Sequence, residues 1–118
     1  MEAFAVSVFP IAKLGEWKEF VDEASTGKRS NDHKSFLRRL GIKREHIRHM
    51  PTPEGDFAII IWEGIDQDQI PNLMGSLTSD PQSDHEAYIA NHVIPNLHGV
   101  DVGAGPPPEI KKLATTDS

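Results

Sequence analysis

The chain of 118 residues contains no cysteine and no long apolar run, and each absence excludes a class of protein. Without cysteine there are no disulfides, no thiolate nucleophile and no thiolate metal site. The apolar stretch AFAVSVFPI near the N-terminus is too short to span a bilayer, and no basic residues precede it as they would in a signal peptide. We therefore expect a cytoplasmic protein with no membrane partner.

An excess of positive charge is also absent, because the formal net charge is −6 at pH 7. A negative chain argues against nucleic acid as the main partner. Basic residues do cluster between Lys34 and Arg48. We interpret this cluster as a solvated helix face and loop, with an anionic-ligand site as the alternative. The chain length fits a single domain with one core.

The N-terminal third of the chain predicts one strand followed by two helices. The segment AFAVSVFPI is rich in β-branched and aromatic residues, which is typical of a strand. Apolar residues then recur with helical spacing at Leu14, Trp17, Val21 and Ala24. The segment SNDHKSFLRRLG predicts a second helix, with Ser30 or Asn31 as its N-cap and Gly41 as its left-handed C-cap.

The rest of the chain predicts a hairpin, two helical segments and a last short strand. The segments KREHIRHM and FAIIIWEG flank the turn PTPEGD and should form the hairpin. DQDQIPNLMGSLTS indicates a short helix or a pair of helical turns. Ser83 and Glu86 form a capping box for a further helix, which Pro95 ends or kinks. HGVDV is the candidate for the last strand, beside the first one.

This order of elements predicts an α+β fold of the ferredoxin-like, split βαβ type, with a four-stranded antiparallel sheet and helices on one face. In the segments AFAVSVF and FAIIIW, the residues that point to either face of the sheet are mostly apolar. Helices on one side of the sheet can cover only one of these faces. We therefore expect a two-fold partner on the second face, which gives a homodimeric α+β barrel. The alternative is a monomer with a few exposed apolar side chains.

The C-terminal segment HGVDVGAGPPPEIKKL divides the chain into a domain and an arm. We assign residues 1–104 to a single domain and residues 105–118 to a proline-rich arm and tail. Three consecutive prolines, Pro106 to Pro108, favour an extended polyproline conformation. The last residues, KKLATTDS, are typical of a fraying terminus.

Three segments in this order resemble a family of small, uncharacterised bacterial proteins: TPEGDFAIIIWEG, SDPQSDHEAYI and HGVDVGAGPPPEI. That family belongs to the dimeric α+β-barrel superfamily. The resemblance implies a cleft between sheet and helices in each protomer. The wider superfamily includes cofactor-free monooxygenases acting on polycyclic phenols, lactone isomerases, haem enzymes and stress proteins, so the fold does not select a reaction.

Three histidines are candidates for acid–base chemistry. His46 and His49 are three residues apart on a predicted strand and therefore point to opposite faces; which of them faces the buried side stays open. We take His49 as the catalytic candidate of this pair, together with His33 in the first turn of the second helix and His98 before the last strand. For each of them the alternative is a structural or surface histidine.

Three further residues are candidates for contact with a ligand: Trp62, Tyr88 and Asp101. Trp62 shares its strand face with Ala58 and Ile60, where it could form the wall of an apolar pocket or simply pack in the core. Asp101 would orient His98 if the backbone turns between them. The spacing of His85, His92 and His98 is not a strong metal signature, so we predict no metal and no cofactor.

Two hypotheses from different classes follow, and the sequence leaves open whether the protein is an enzyme. In the first, a monooxygenase- or isomerase-like enzyme acts on a small apolar or aromatic compound in the cleft, with a histidine as acid or base. In the second, the protein is a non-catalytic ligand-binding or structural dimer whose cleft is filled by its own side chains. The second hypothesis predicts no pocket of roughly 300 Å³ or more.

Overall fold

A computed structural model describes residues 3–101 and 110–118 and shows an α+β fold with helices packed on a three-stranded antiparallel sheet. The strands are β1 (Phe4–Ile11), β2 (Arg44–Thr52) and β3 (Gly55–Glu63), in the order β1-β3-β2. The helices are α1 (Leu14–Ser25), α2 (Ser30–Arg39), α3 (Ile70–Ser79) and α4 (Asp84–Tyr88). A 3₁₀ turn, Gln67–Gln69, precedes α3, and a π-helical segment, Ile89–Leu97, continues α4.

The predicted hairpin is confirmed, and its turn fixes the register of the sheet. Thr52 pairs with Gly55, so two residues form the turn, and Glu45 lies directly opposite Trp62 seven positions further along. On the other side of β3, Trp62 pairs with Ala5 and Ala58 pairs with Phe9. Paired residues in an antiparallel sheet point to the same face, so this register decides which side chains meet the helices.

The helices follow the predicted apolar spacing but begin differently from the prediction. α1 buries Trp17, Phe20 and Ala24, as its periodicity predicts. The N-cap of α2 is Arg29, so the assignment of Ser30 or Asn31 is wrong: the Ser30 N–H donates to the Gly27 carbonyl and Ser30 is already the first helical residue. Gly41 has a φ of 81°, which confirms the left-handed position after α2.

The two faces of the sheet differ in composition and exposure. The helix-facing side carries Ala5, Phe9 and Ile11, Glu45, Ile47 and His49, and Ala58, Ile60 and Trp62. We call the opposite side the outer face. It carries Phe4, Val6 and Val8, Arg44, His46, Arg48 and Met50, and Phe57, Ile59 and Ile61. Phe4, Val8 and Met50 are 61%, 44% and 41% exposed, so the outer face presents apolar surface to solvent.

The predicted fourth strand is not seen in the described part of the chain. Val100 lies outside regular structure, where its N–H donates to the Ile94 carbonyl, and Val102 lies outside the described residues. The proposed polyproline arm at Pro106–Pro108 also lies outside them. Within residues 3–101 and 110–118, no helix combines the length and apolar character needed to cross a membrane.

Candidate functional site

A small cavity lies between the helix-facing side of the sheet and the helices. Its volume is about 70 Å³. Aromatic and aliphatic side chains form most of its wall, including Phe9, Trp17, Phe20, Phe36 and Trp62. The charged or titratable residues that line it, among those described, are His33, Glu45 and His98. An apolar cavity with a few polar groups is the usual form of a small-molecule site.

At one end of the cavity, the carboxylate of Glu45 is held by two N–H donors. The Trp62 indole Nε1–H donates to Glu45 Oε2 at 2.6 Å, across the β2–β3 pair. Nε2 of His33 lies 2.8 Å from Glu45 Oε1. Since an ionised carboxylate can only accept hydrogen bonds, His33 donates through Nε2. Only about a tenth of each side chain in the His33–Glu45 pair is exposed, 9% and 10%.

Behind His33 lies a second buried imidazole, that of His85. Nδ1 of His33 is 2.9 Å from Nε2 of His85. Because His33 carries its proton on Nε2, its neutral form accepts at Nδ1, and His85 donates through its own Nε2–H. Nδ1 of His85 then has a lone pair, which is buried and has no hydrogen-bond partner among the described residues. The tautomers of both rings are thus fixed by the Glu45 carboxylate.

The surroundings of His85 keep the ring uncharged. Burial, followed by the nearby His33 and Arg29, lowers the pKa of His85 from 6.5 to about 4. Phe20 stacks on the ring with centroids 6.2 Å apart and planes inclined by 17°. Phe36 meets it edge-on at 6.1 Å. A neutral His85 with its proton on Nε2 still donates the hydrogen bond to Nδ1 of His33.

The start of α4 holds His85 in place through its neighbour Glu86. The Ser83 hydroxyl caps the helix by accepting the Glu86 N–H at 3.1 Å, which is one half of the predicted capping box. The Glu86 side chain does not complete the box, because it forms an ion pair with Arg39 of α2, including a 2.7 Å bond from Nε. Burial alone would raise the pKa of Glu86, but hydrogen bonds from Arg39 and the Gln82 backbone outweigh it and lower the pKa.

The opposite end of the cavity is formed around His98. Its Nδ1–H donates to the Pro10 carbonyl at 2.8 Å, which leaves Nε2 as the basic nitrogen. Phe9 and Trp17 lie against the ring at centroid distances of 5.3 and 6.3 Å. Burial lowers the pKa of His98, and the bond to Pro10 opposes this only in part. The imidazole is therefore neutral near pH 7.

The structure brings together some of the sequence-predicted site residues and separates others. His33, Trp62 and His98 line the cavity. Of the pair His46 and His49, His49 is the one on the helix-facing side of the sheet. It forms a hydrogen bond with Asp56 at 2.8 Å and lies beside Trp17. It is not among the residues that line the cavity.

Two other predicted ligand contacts lie away from the cavity. Tyr88 lines a surface groove of about 200 Å³, where the Arg29 guanidinium sits 3.8 Å from the centre of its ring. Asp101 is exposed. Neither residue is among those that line the cavity.

The sequence analysis did not identify Glu45 and His85 as site residues. The register would have pointed to Glu45: a two-residue turn at Pro53 and Glu54 places position 45 opposite position 62, on the face assigned to Trp62. No sequence signal linked His85 to His33, which lies 52 residues earlier. Among the residues that the structure describes, no three His, Asp or Glu side chains are grouped so that they could hold a metal ion.

We compared the chain with protein-family models, with curated proteins and with solved structures. None of the three comparisons returned a match. The geometry of the cavity and general chemistry are therefore the basis for assigning a function.

Proposed function

We propose that the cavity is the active site of an enzyme that removes a proton from a small apolar or aromatic molecule, with Glu45 as the general base. The observation that carries this proposal is the Glu45 carboxylate, fixed by His33 and Trp62 in a cavity whose walls are otherwise mostly apolar. A base that is positioned by hydrogen bonds and shielded from water is the usual arrangement for proton transfer.

Glu45 is better suited than His33 to meet the substrate. Both ring nitrogens of His33 are already engaged, one with Glu45 and one with His85. A carboxylate has about four lone-pair sites, and two N–H donors occupy only two of them. His33 is then a positioning residue, with His85 behind it, and Glu45 keeps the capacity to accept a substrate proton.

His98 supports the same assignment from the other end of the cavity. Its neutral ring has a basic Nε2, so it can accept or pass on a proton. Both an isomerase-like and a cofactor-free monooxygenase-like reaction begin with loss of a proton from the substrate. Glu45 and His98 therefore serve either reaction, and the proposal stays at the level of proton transfer.

We also propose that the protein is a homodimer whose two outer faces pack together, as in the dimeric α+β barrels that the sequence resembles. Apolar side chains on the outer face, with Phe4 and Val8 largely exposed, support a second copy as the occupant. In this proposal the cleft of each protomer stays between the sheet and the helices.

The alternative function is ligand binding without chemistry, or a structural dimer. The observation that favours it is the size of this cavity, about 70 Å³, well below the roughly 300 Å³ of pockets for drug-sized ligands. Two open hollows exceed that size and speak against it: one of about 350 Å³ beside the cavity, lined by His33, Lys34 and Glu45, and one of about 490 Å³ on the outer face. Under this alternative, the His33–Glu45–Trp62 group is a satisfied polar network of the core.

The test is solvent-deuterium exchange into a panel of small ketones, beginning with propanone, followed by NMR. We expect the wild type to catalyse exchange, and Glu45→Gln to lose at least a hundredfold in rate, since general-base catalysis contributes about 10²–10⁴. Glu54→Gln, in the exposed hairpin turn, is the matched control and should exchange like the wild type. Equal rates for Glu45→Gln and wild type would exclude Glu45 as the base. Binding of the panel without exchange would favour the alternative.

A further inference from the structure

The Glu45 end of the cavity offers hydrogen-bond acceptors without matching free donors. The indole N–H of Trp62 and the Nε2–H of His33 are both donated to Glu45. Nδ1 of His33 is engaged with His85. What is left at this end is the unused lone-pair capacity of the Glu45 oxygens. A ligand's polar group can hydrogen-bond here only by donating.

We propose that the natural ligand is a small apolar molecule whose polar group carries an O–H or N–H donor, and that carboxylates and other anions are rejected. This inference rests on the proposed small-molecule site and specifies its substrate class. Hydroxyl and ammonium compounds share the required chemistry. A ligand with acceptors alone would leave its own polar group unpaired next to the Glu45 carboxylate.

The charge of the cavity wall points the same way. No lysine or arginine is among the described residues that line the cavity, whereas the Glu45 carboxylate does line it. Lys34 lines the open hollow on the other side of His33 and Glu45, outside the cavity. A second anion brought into this apolar space would face the like charge of Glu45 and would lose its hydration. A cation would meet the aromatic faces of the wall, including Phe20, Phe36 and Trp62, which attract positive charge.

The volume of the cavity sets the size of the ligand. A dry protein cavity of about 150 Å³ accepts benzene, which has six heavy atoms. The cavity here measures about 70 Å³, about half of that volume, so it fits a ligand of roughly three to four heavy atoms without rearrangement. A branched compound of four heavy atoms is therefore a suitable probe.

The experiment uses three probes that share one branched shape of four heavy atoms: propan-2-ol, propan-2-ylammonium and acetate. The readout is the NMR shift of the Trp62 indole N–H, which is bonded to Glu45, with the backbone N–H of Glu54 in the exposed hairpin turn as internal reference. We expect saturable shifts of the Trp62 signal with the alcohol, the ammonium compound or both, and at least tenfold weaker binding of the carboxylate. The first two arms distinguish the hydroxyl from the ammonium ligand.

The variant Glu45→Gln extends the test, because the glutamine amide adds a donor and removes the charge. We expect binding of the donor probes to weaken about tenfold, and the preference against acetate to shrink. Glu54→Gln is the control and should bind as the wild type does. The comparison of the three probes on the wild-type protein stands even if Glu45→Gln fails to fold.

Each outcome decides a different claim. Binding of acetate as tightly as the alcohol and the ammonium compound would overturn this inference and leave the proposed enzyme standing. Saturable binding of donor probes without any deuterium exchange in the panel would support the inference and overturn the enzyme. Failure of all three probes to shift the Trp62 signal would overturn the small-molecule site and this inference together.

Discussion

His33 and His85 share one proton across 2.9 Å, between two rings that come from different helices. The direction of that bond is set by Glu45, because its carboxylate accepts the Nε2–H of His33 and so leaves Nδ1 of His33 as the acceptor of the His85 Nε2–H. Trp62, Glu45, His33 and His85 thus form one chain of hydrogen bonds from β3 to α4. A substitution of His85 is therefore expected to change the position of the His33 ring and, through it, the hydrogen bonding of Glu45.

Replacing His85 tests this chain through stability. His85→Leu removes the donor to His33 and leaves a buried acceptor unpaired, so we expect a loss of about 1–3 kcal/mol in the free energy of unfolding. His85→Gln keeps an N–H at a similar reach and should lose less. The measurement is urea unfolding at pH 7. Equal stabilities for the two variants would show that the bond between His33 and His85 does not stabilise the fold.

The low pKa of His85 makes stability depend on pH. The native state keeps His85 neutral down to about pH 4, whereas the unfolded chain takes up the proton near pH 6.5. The unfolded state therefore binds more protons between these values, and stability falls as the pH is lowered from about 6.5 to 4. At about 1.4 kcal/mol per pKa unit, the contribution of His85 is at most about 3.5 kcal/mol, and His98 acts in the same direction.

Urea unfolding at several pH values between 7 and 4 measures this dependence. We expect a shallower pH dependence for His85→Gln than for the wild type, because the variant cannot take up that proton on unfolding. His92→Gln, on the outside of the π-helical segment, is the control and should keep most of the wild-type slope. The interpretation fails if His85→Gln and wild type lose stability in parallel.

The ion pair between Arg39 and Glu86 supports the start of α4. Glu86 is 2% exposed and Arg39 is 35% exposed, so removal of the guanidinium leaves a buried carboxylate without its main partner. We expect Arg39→Met to cost about 2–3 kcal/mol, below the 3–5 kcal/mol of fully buried pairs because Arg39 reaches solvent. Arg38→Met, at the exposed neighbouring position, should cost less than about 0.5 kcal/mol. Thermal and urea unfolding of both variants make the comparison.

The proposed homodimer is tested on the outer face. Val8 lies on β1, opposite Ile59 on the outer face, and is 44% exposed. A lysine at this position is therefore compatible with a monomer but not with a packed interface. We expect sedimentation to show a wild-type dimer and a Val8→Lys monomer. Leu113→Lys makes the same change at a residue that is 96% exposed, and it should stay dimeric. A wild-type species of 13.1 kDa at micromolar concentration would contradict the proposal.

The parts of the fold that the sequence predicted are those with local signals. The apolar spacing of α1 and the turn between β2 and β3 are both read from neighbouring residues, and both are confirmed. The N-cap of α2 was misplaced because Ser30, a good capping residue, is preceded by a turn in which the Ser30 N–H already donates to Gly27. Local propensity did not show that this turn is continuous with the helix.

The sequence identified the site residues whose own type and position suggested a role, namely His33, Trp62 and His98. It did not identify residues that belong to the site only through their contacts. Parity left His46 and His49 equivalent, and only pairing with β3 places His49 on the helix-facing side, opposite Ala58. The network of Glu45, His33 and His85 joins a strand and two helices, so no spacing in the sequence encodes it. The side chains that make up such a network are specified by tertiary packing, which the sequence pattern does not contain.

The π-helical segment has a consequence for how His98 reaches the cavity. In this segment the His98 N–H donates to the carbonyl of Val93, five residues earlier, so the two residues lie on the same side of the axis. In an α-helix, five residues would separate them by about 140° around the axis. The wider turn therefore takes up one extra residue, so that His98 occupies the angular position that residue 97 would have in an α-helix. Deletion of the exposed Asn96 would remove the extra residue, and the His98 ring would no longer pack against Phe9 and Trp17.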